Sequence, residues 1–126
     1  MARMVLAVAL ALAAALPARA QGPGDPFEAE TVAAMQALCT ADQGTADGKY
    51  AVGFCYGWIE GLGQFYQELL TDKRFDFPRV ICAGRELSRE EVRSQFVDWA
   101  RRHPADAGRP ALAGIVDAMK EEYPCR

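Results

Sequence analysis

Asparagine is absent from this 126-residue chain, serine occurs only as Ser88 and Ser94, and histidine only as His103. A nucleophile with a neighbouring base is therefore hard to assemble, and most catalytic constellations drop out before any motif search. A basic excess is missing too: 14 Lys and Arg stand against 17 Asp and Glu, a net charge of −3. Nucleic-acid binding needs a cationic stripe that displaces counterions, so that class is disfavoured. Close cysteine pairs of the C-x-x-C type are also lacking. The four cysteines lie 16, 27 and 43 residues apart along the chain, spacing that suits neither a zinc site nor a dithiol redox motif. No metal or other cofactor is expected.

Long apolar runs are confined to the beginning. A short positive start (Met1 to Arg3) precedes the apolar stretch from Met4 to Leu16, and Pro17-Ala18-Arg19-Ala20 supplies a helix break with a small-x-small ending. Thirteen residues rise only about 20 Å as a helix, short of the hydrocarbon thickness of about 30 Å. Residues 1–20 therefore read as a cleaved signal peptide, and residues 21–126 as a single exported domain. Gln21 follows the expected cut, so no cysteine is there to carry a lipid.

The remaining pattern is helical. Asp25-Pro26-Phe27-Glu28 resembles a capped helix start, followed by Val32, Met35, Leu38 and Cys39 at helical spacing. Residues 40–49 form a polar loop, and a second helix is expected over residues 50–70. Its stripe of Phe54, Trp58, Leu62, Phe65 and Leu69, widened by Cys55, Ile59 and Tyr66, predicts a central position. Ser88-Arg89-Glu90-Glu91 is a capping box, with Leu87 placed to staple onto Val92, and this third helix ends at His103-Pro104. Pro110 opens a fourth carrying Leu112, Ile115, Val116, Met119 and Tyr123. The fold class is all-α, a compact bundle of four to five helices arranged as two hairpins.

Four cysteines in a small exported domain imply two disulfides, with three possible connectivities. Cys39 closes the first helix and Cys55 opens the second, so a helix hairpin brings them together. Cys82 precedes the third helix and Cys125 follows the fourth, so a second hairpin does the same. Of the three connectivities, Cys39–Cys55 with Cys82–Cys125 is the expected one.

Glycine inside a helix costs about 1 kcal/mol relative to alanine, so Gly53, Gly57 and Gly61 at four-residue spacing need a reason. A close helix–helix approach within the chain is the favoured explanation, and a homodimer seam the second. Between the second and third helices, residues 71–87 form a long loop in which Phe75, Asp76, Phe77 and Arg79 mix rigid apolar and charged side chains. That mixture suits a protein interface, and capping of the core is the competing role for the two rings. His103 reads as a helix-terminal residue at the negative end of the dipole. Glu60 and Glu68, two turns apart, read as part of a solvated stripe with Gln64 rather than as a glycosidase pair.

With these elements in place, the run from Gly53 to Leu62 resembles the C-x-G-(aromatic)-I-x-G-(aliphatic) signature of the Rap/Tai immunity family. Leu38-Cys39, Cys82, His103-Pro104 and Tyr123-Pro124-Cys125 fall in the matching order, so the resemblance spans residues 31–125. It implies a small periplasmic helical protein, often dimeric, that neutralises a cell-wall amidase effector of type VI secretion by blocking its active-site cleft. No chemistry by this chain is then required. A small periplasmic chaperone or stress protein of similar build, with no effector partner, is the alternative. Cys82-Ala83-Gly84 and Gln64-Phe65 depart from the family's usual residues and point to a recognition surface of this chain's own.

Overall fold

The computed structural model describes residues 28–126. Its elements are α1 (Val32–Cys39), α2 (Ala46–Thr71), α3 (Arg89–Arg102), a 3-10 turn (Pro104–Asp106) and α4 (Ala111–Glu122), with no strand among the described residues. The all-α class is as the periodicity implies.

Helix α1 starts later than the Asp25-Pro26-Phe27-Glu28 pattern suggests. Residues 25–27 and the proposed signal peptide lie outside the described residues, and Glu28 and Ala29 are not helical. The cap is Thr31, whose hydroxyl accepts from the Ala34 N–H at 3.2 Å. What overrides the earlier signal is a tertiary pairing. Val32 N–H donates to the Arg109 carbonyl and Ala111 N–H to the Glu30 carbonyl, both at 2.9 Å, so the chain enters α1 extended against the start of α4.

Helix α2 begins earlier than expected, at Ala46, because the Thr45 hydroxyl accepts from the Gly48 N–H at 3.0 Å. Gly48 is required there: a Cβ would lie 1.8 Å from the Asp42 carbonyl oxygen. Helix α3 carries the expected capping box, with Ser88 and Glu91 bonded reciprocally, and Leu87 and Val92 both lie against the core. Phe96, Met35, Ile115 and Val32 are the largest fully buried side chains.

The expected position of α2 needs correction. At 1.5 Å per residue its 26 residues run about 39 Å, whereas the eight of α1 run about 12 Å, so α1 can cover only part of it. The buried face is Val52, Cys55 and Ile59, with Trp58 and Leu62 packed partly against it. Phe54 and Phe65 instead reach solvent, Phe65 at 61% exposure, so the second half of α2 stands out from the bundle. In α4, likewise, Ala111, Gly114, Ile115, Ala118 and Met119 are buried while Leu112 is exposed.

The reading of Gly53, Gly57 and Gly61 as an in-chain packing face is also corrected. A Cβ added at any of them would meet nothing within 4 Å among the described residues. The glycine that does permit close approach is Gly114, where a Cβ would sit 2.5 Å from Val32 Cγ2 and 3.2 Å from Trp99 Cζ3.

Both disulfides have the expected partners, Cys39–Cys55 and Cys82–Cys125. The first is wholly inside the core, and the second is at the surface.

Candidate protein-binding arm and groove

Residues 72–88 leave α2 and return to α3 without forming a helix, yet they are tied down along their length. At the start, the Asp72 carboxylate accepts from the Arg74 N–H at 2.9 Å and from its Nε at 2.7 Å. The hydrogen bond from the Arg74 guanidinium holds the Asp72 carboxyl below its ordinary value. In the middle, the Tyr66 hydroxyl on α2 accepts from the N–H groups of Val80 and Ile81, at 3.0 and 3.1 Å. At the far end, Cys82 N–H donates to the Tyr123 carbonyl at 2.9 Å and the Cys82–Cys125 disulfide joins the arm to the C-terminus. Gly84 then turns the chain with φ +70°, a conformation suited to glycine, and Arg85 pairs with Glu91 at 2.6 Å on the way into α3.

Between these ties the arm presents Phe75 and Phe77, 48% and 41% exposed. Phe77 meets the Tyr66 ring edge-on at 6.1 Å between centroids, and the Arg74 guanidinium lies 5.9 Å from the Phe75 ring. Neither ring belongs to the buried core. Asp76 and Arg79 are exposed, and their side chains have no ion-pair partner among the described residues. The four residues singled out from the sequence are thus brought onto one exposed segment.

Behind the arm runs a groove of about 740 Å³, bounded by the second half of α2, residues 79–87, and parts of α3 and α4. Ile59, Leu62, Ile81, Val92, Ile115 and Met119 contribute apolar surface, and Glu60, Glu68 and Glu86 contribute carboxylates. No local pattern marks this groove, because its walls come from four separate segments. Tyr66 was expected as core, and its role as the arm's tether depends on a hydroxyl partner that periodicity does not report.

A second polar cluster braces α2 against α3. The Tyr56 hydroxyl donates to Glu90, Arg93 pairs with Glu90 at 2.7 Å, and the other Arg93 Nη donates to the Cys39 carbonyl at 2.7 Å. Arg89 and Arg93 both lie over the Tyr56 ring, at 5.0 and 5.5 Å. Hydrogen bonds from Arg93 and then Tyr56 hold the Glu90 carboxyl down to about 2, and the bond to Glu90 raises the Tyr56 phenol. His103 caps α3, stacked on Trp99 at 4.5 Å, with Nδ1 2.8 Å from the Trp99 carbonyl and Nε2 3.8 Å from Glu121. Glu60 lies on the exposed side of α2 and accepts from Gln64 at 3.4 Å, and Glu68 is exposed on the same helix.

Among the described residues no group of three or more His, Cys, Asp or Glu side chains could hold a metal ion, and no helix is long and apolar enough to cross a membrane. Fold and site together define a small disulfide-stapled helical domain that displays an anchored aromatic arm. Residues 31–125 match the family of Rap1a immunity proteins, and the chain belongs to that family. No curated protein and no solved structure matches it.

Proposed function

We propose that this protein is an exported, periplasmic immunity protein that binds a cell-wall amidase effector of type VI secretion and occludes its active-site cleft. The observation that carries the reading is the exposure of Phe75 and Phe77 on an arm fastened at Asp72, Tyr66 and Cys82. A recognition segment already held in place loses less conformational freedom on binding, and aromatic anchors concentrate binding energy. Asp76 and Arg79, with no ion-pair partner among the described residues, set register by pairing across the interface. Membership among immunity proteins and two disulfides, which persist in oxidising compartments, support the same reading. Export rests on the signal-like residues 1–20. The experiment is co-expression with the effector encoded beside this gene, directed to the periplasm, with growth and complex formation as readouts. Protection and a stoichiometric complex are expected, and an effector that stays lethal and unbound overturns the proposal for that pair.

A homodimer is a second element of the reading, favoured by the solvent-facing Gly53, Gly57 and Gly61. Tyr50 at 69% exposure and Phe65 stand at the two ends of that face, a pattern suited to antiparallel pairing of α2 with its copy. Sedimentation equilibrium on wild type and Gly57→Leu tests it. A dimer that the substitution dissociates is expected, and a monomeric wild type rules the seam out.

A further inference from the structure

We infer that Tyr123, fixed by Gln95, is a positioning residue for the arm, and that it keeps the arm's far end in place even without the exposed disulfide. The inference rests on the effector-binding reading only for what the arm recognises.

The local sequence frees Tyr123 for this role. Proline disfavours helical backbone at the residue before it, and ahead of Pro124 the chain leaves α4 at Tyr123, with φ −125° and ψ 63°. The Tyr123 N–H still closes the helix, donating to the Met119 carbonyl at 2.8 Å. Its carbonyl, turned out of the helical ladder, accepts from the Cys82 N–H at 2.9 Å. Two residues on, Cys125 forms the disulfide to that same Cys82. The arm's far end thus has two ties to one short segment, a covalent bond at the surface and a hydrogen bond beside it.

That hydrogen bond holds the arm only as firmly as Tyr123 is held. The ring is half-buried and packs against the core. Gln95, on α3, donates from Nε2 to the Tyr123 hydroxyl at 2.6 Å, across 28 residues of sequence. Its other amide atom, Oε1, is buried with no hydrogen-bond partner among the described residues. A buried amide left half satisfied costs stability, and the bond to Tyr123 is what orients it. Tyr123 therefore joins α3 through its hydroxyl and the arm through its carbonyl. The neighbouring residues follow the same pattern, since the N–H groups of Val80 and Ile81 donate to the Tyr66 hydroxyl on α2. Three consecutive N–H groups of the arm each end on a tyrosine. A segment clamped between Tyr66 and Tyr123 keeps its register by hydrogen bonds, and a fixed segment loses less freedom on binding.

The test is amide hydrogen exchange on the full domain. Cys82→Ser with Cys125→Ser should leave the amide at position 82 protected. Adding Tyr123→Phe or Gln95→Leu to that pair should accelerate exchange there by about tenfold, with Ile115 and Met119 on α4 unchanged. Protection lost with the disulfide alone overturns the inference, as does protection that survives either added substitution. Uniform acceleration through α4 marks a merely structural role and overturns it too. If the disulfide-free variant does not fold, Tyr123→Phe and Gln95→Leu in the disulfide-bonded protein decide. Faster exchange confined to Cys82 and its arm supports the inference, and unchanged exchange at Cys82 overturns it. Effector binding separates this role from the immunity reading. Both substitutions should speed dissociation of the complex several-fold without changing the melting temperature. Loosened exchange in a protein that binds no effector supports the tether and sinks the immunity reading. A complex that dissociates at the wild-type rate after the tether is loosened supports immunity and overturns the part given to Tyr123.

Discussion

The hydroxyl of Tyr66 accepts the N–H of Ile81 at 3.1 Å, across fifteen residues of sequence, and so fastens the middle of the arm to the protruding half of α2. The same oxygen takes the Val80 N–H. Tyr66→Phe keeps the ring against Phe77 and removes only the acceptor, leaving two partly buried N–H groups without it. A loss of about 1–2 kcal/mol is expected in chemical denaturation. Amide exchange at Val80 and Ile81 should accelerate while α3 stays protected. Unchanged exchange at those two amides would show that the arm is held by other ties.

The two disulfides should differ in accessibility. Cys39 and Cys55 are fully buried, and Cys82 and Cys125 are exposed. Dithiothreitol on the native protein should open Cys82–Cys125 first, with helicity retained. Reduction and alkylation followed by peptide mapping reads the order, and earlier loss of Cys39–Cys55 contradicts it. By the chain-entropy argument, a closed loop of 16 residues contributes about 3 kcal/mol and one of 43 about 4 kcal/mol, so removing either pair should lower the melting temperature markedly.

Glycine substitutions should split by environment. Gly114→Ala puts a methyl 2.5 Å from a Val32 carbon inside the core and should cost about 1–3 kcal/mol by overpacking. Gly57→Ala meets nothing and should stabilise the monomer by up to about 1 kcal/mol through helix propensity. Thermal melts of the two variants measure both signs.

Acid should destabilise the protein within a defined window. Arg93 and Tyr56 hold Glu90 at about 2, and Arg85 and Ser88 hold Glu91 at about 2, against an ordinary 4.5. A carboxyl whose pKa is depressed on folding binds its proton more readily when unfolded. Its contribution is therefore complete above about 4.5 and fades as pH falls towards 2. Denaturation midpoints should be flat from pH 7 to 5 and decline below that. Glu90→Gln should shallow the decline, and an unchanged slope would remove Glu90 from the account.

How far the sequence carried the fold varies by element. Ser88-x-x-Glu91 marked α3 correctly because capping is a local interaction within four residues. The cysteine pairing followed because helix hairpins bring their ends together. The start of α1 was misread because Asp25-Pro26 is a local signal, whereas Thr31 is placed by the bonds that Val32 donates to Arg109 and Ala111 donates to Glu30, across some eighty residues. The apolar stripe of α2 was misread because periodicity reports a face and not how much of a long helix its neighbours can cover. Composition therefore picked out Phe75, Asp76, Phe77 and Arg79, while the Tyr66 tether and the groove came only with the structure.

The most direct measurement is the affinity of the effector for the double variant Phe75→Ala, Phe77→Ala against wild type, by titration calorimetry, alongside a thermal melt. The rings stand outside the core and on the arm. Their removal should therefore weaken binding by about 2–4 kcal/mol, the range of aromatic hot spots, with the melting temperature nearly unchanged. Full affinity in the double variant, or a variant that unfolds before it loses its partner, would contradict the account.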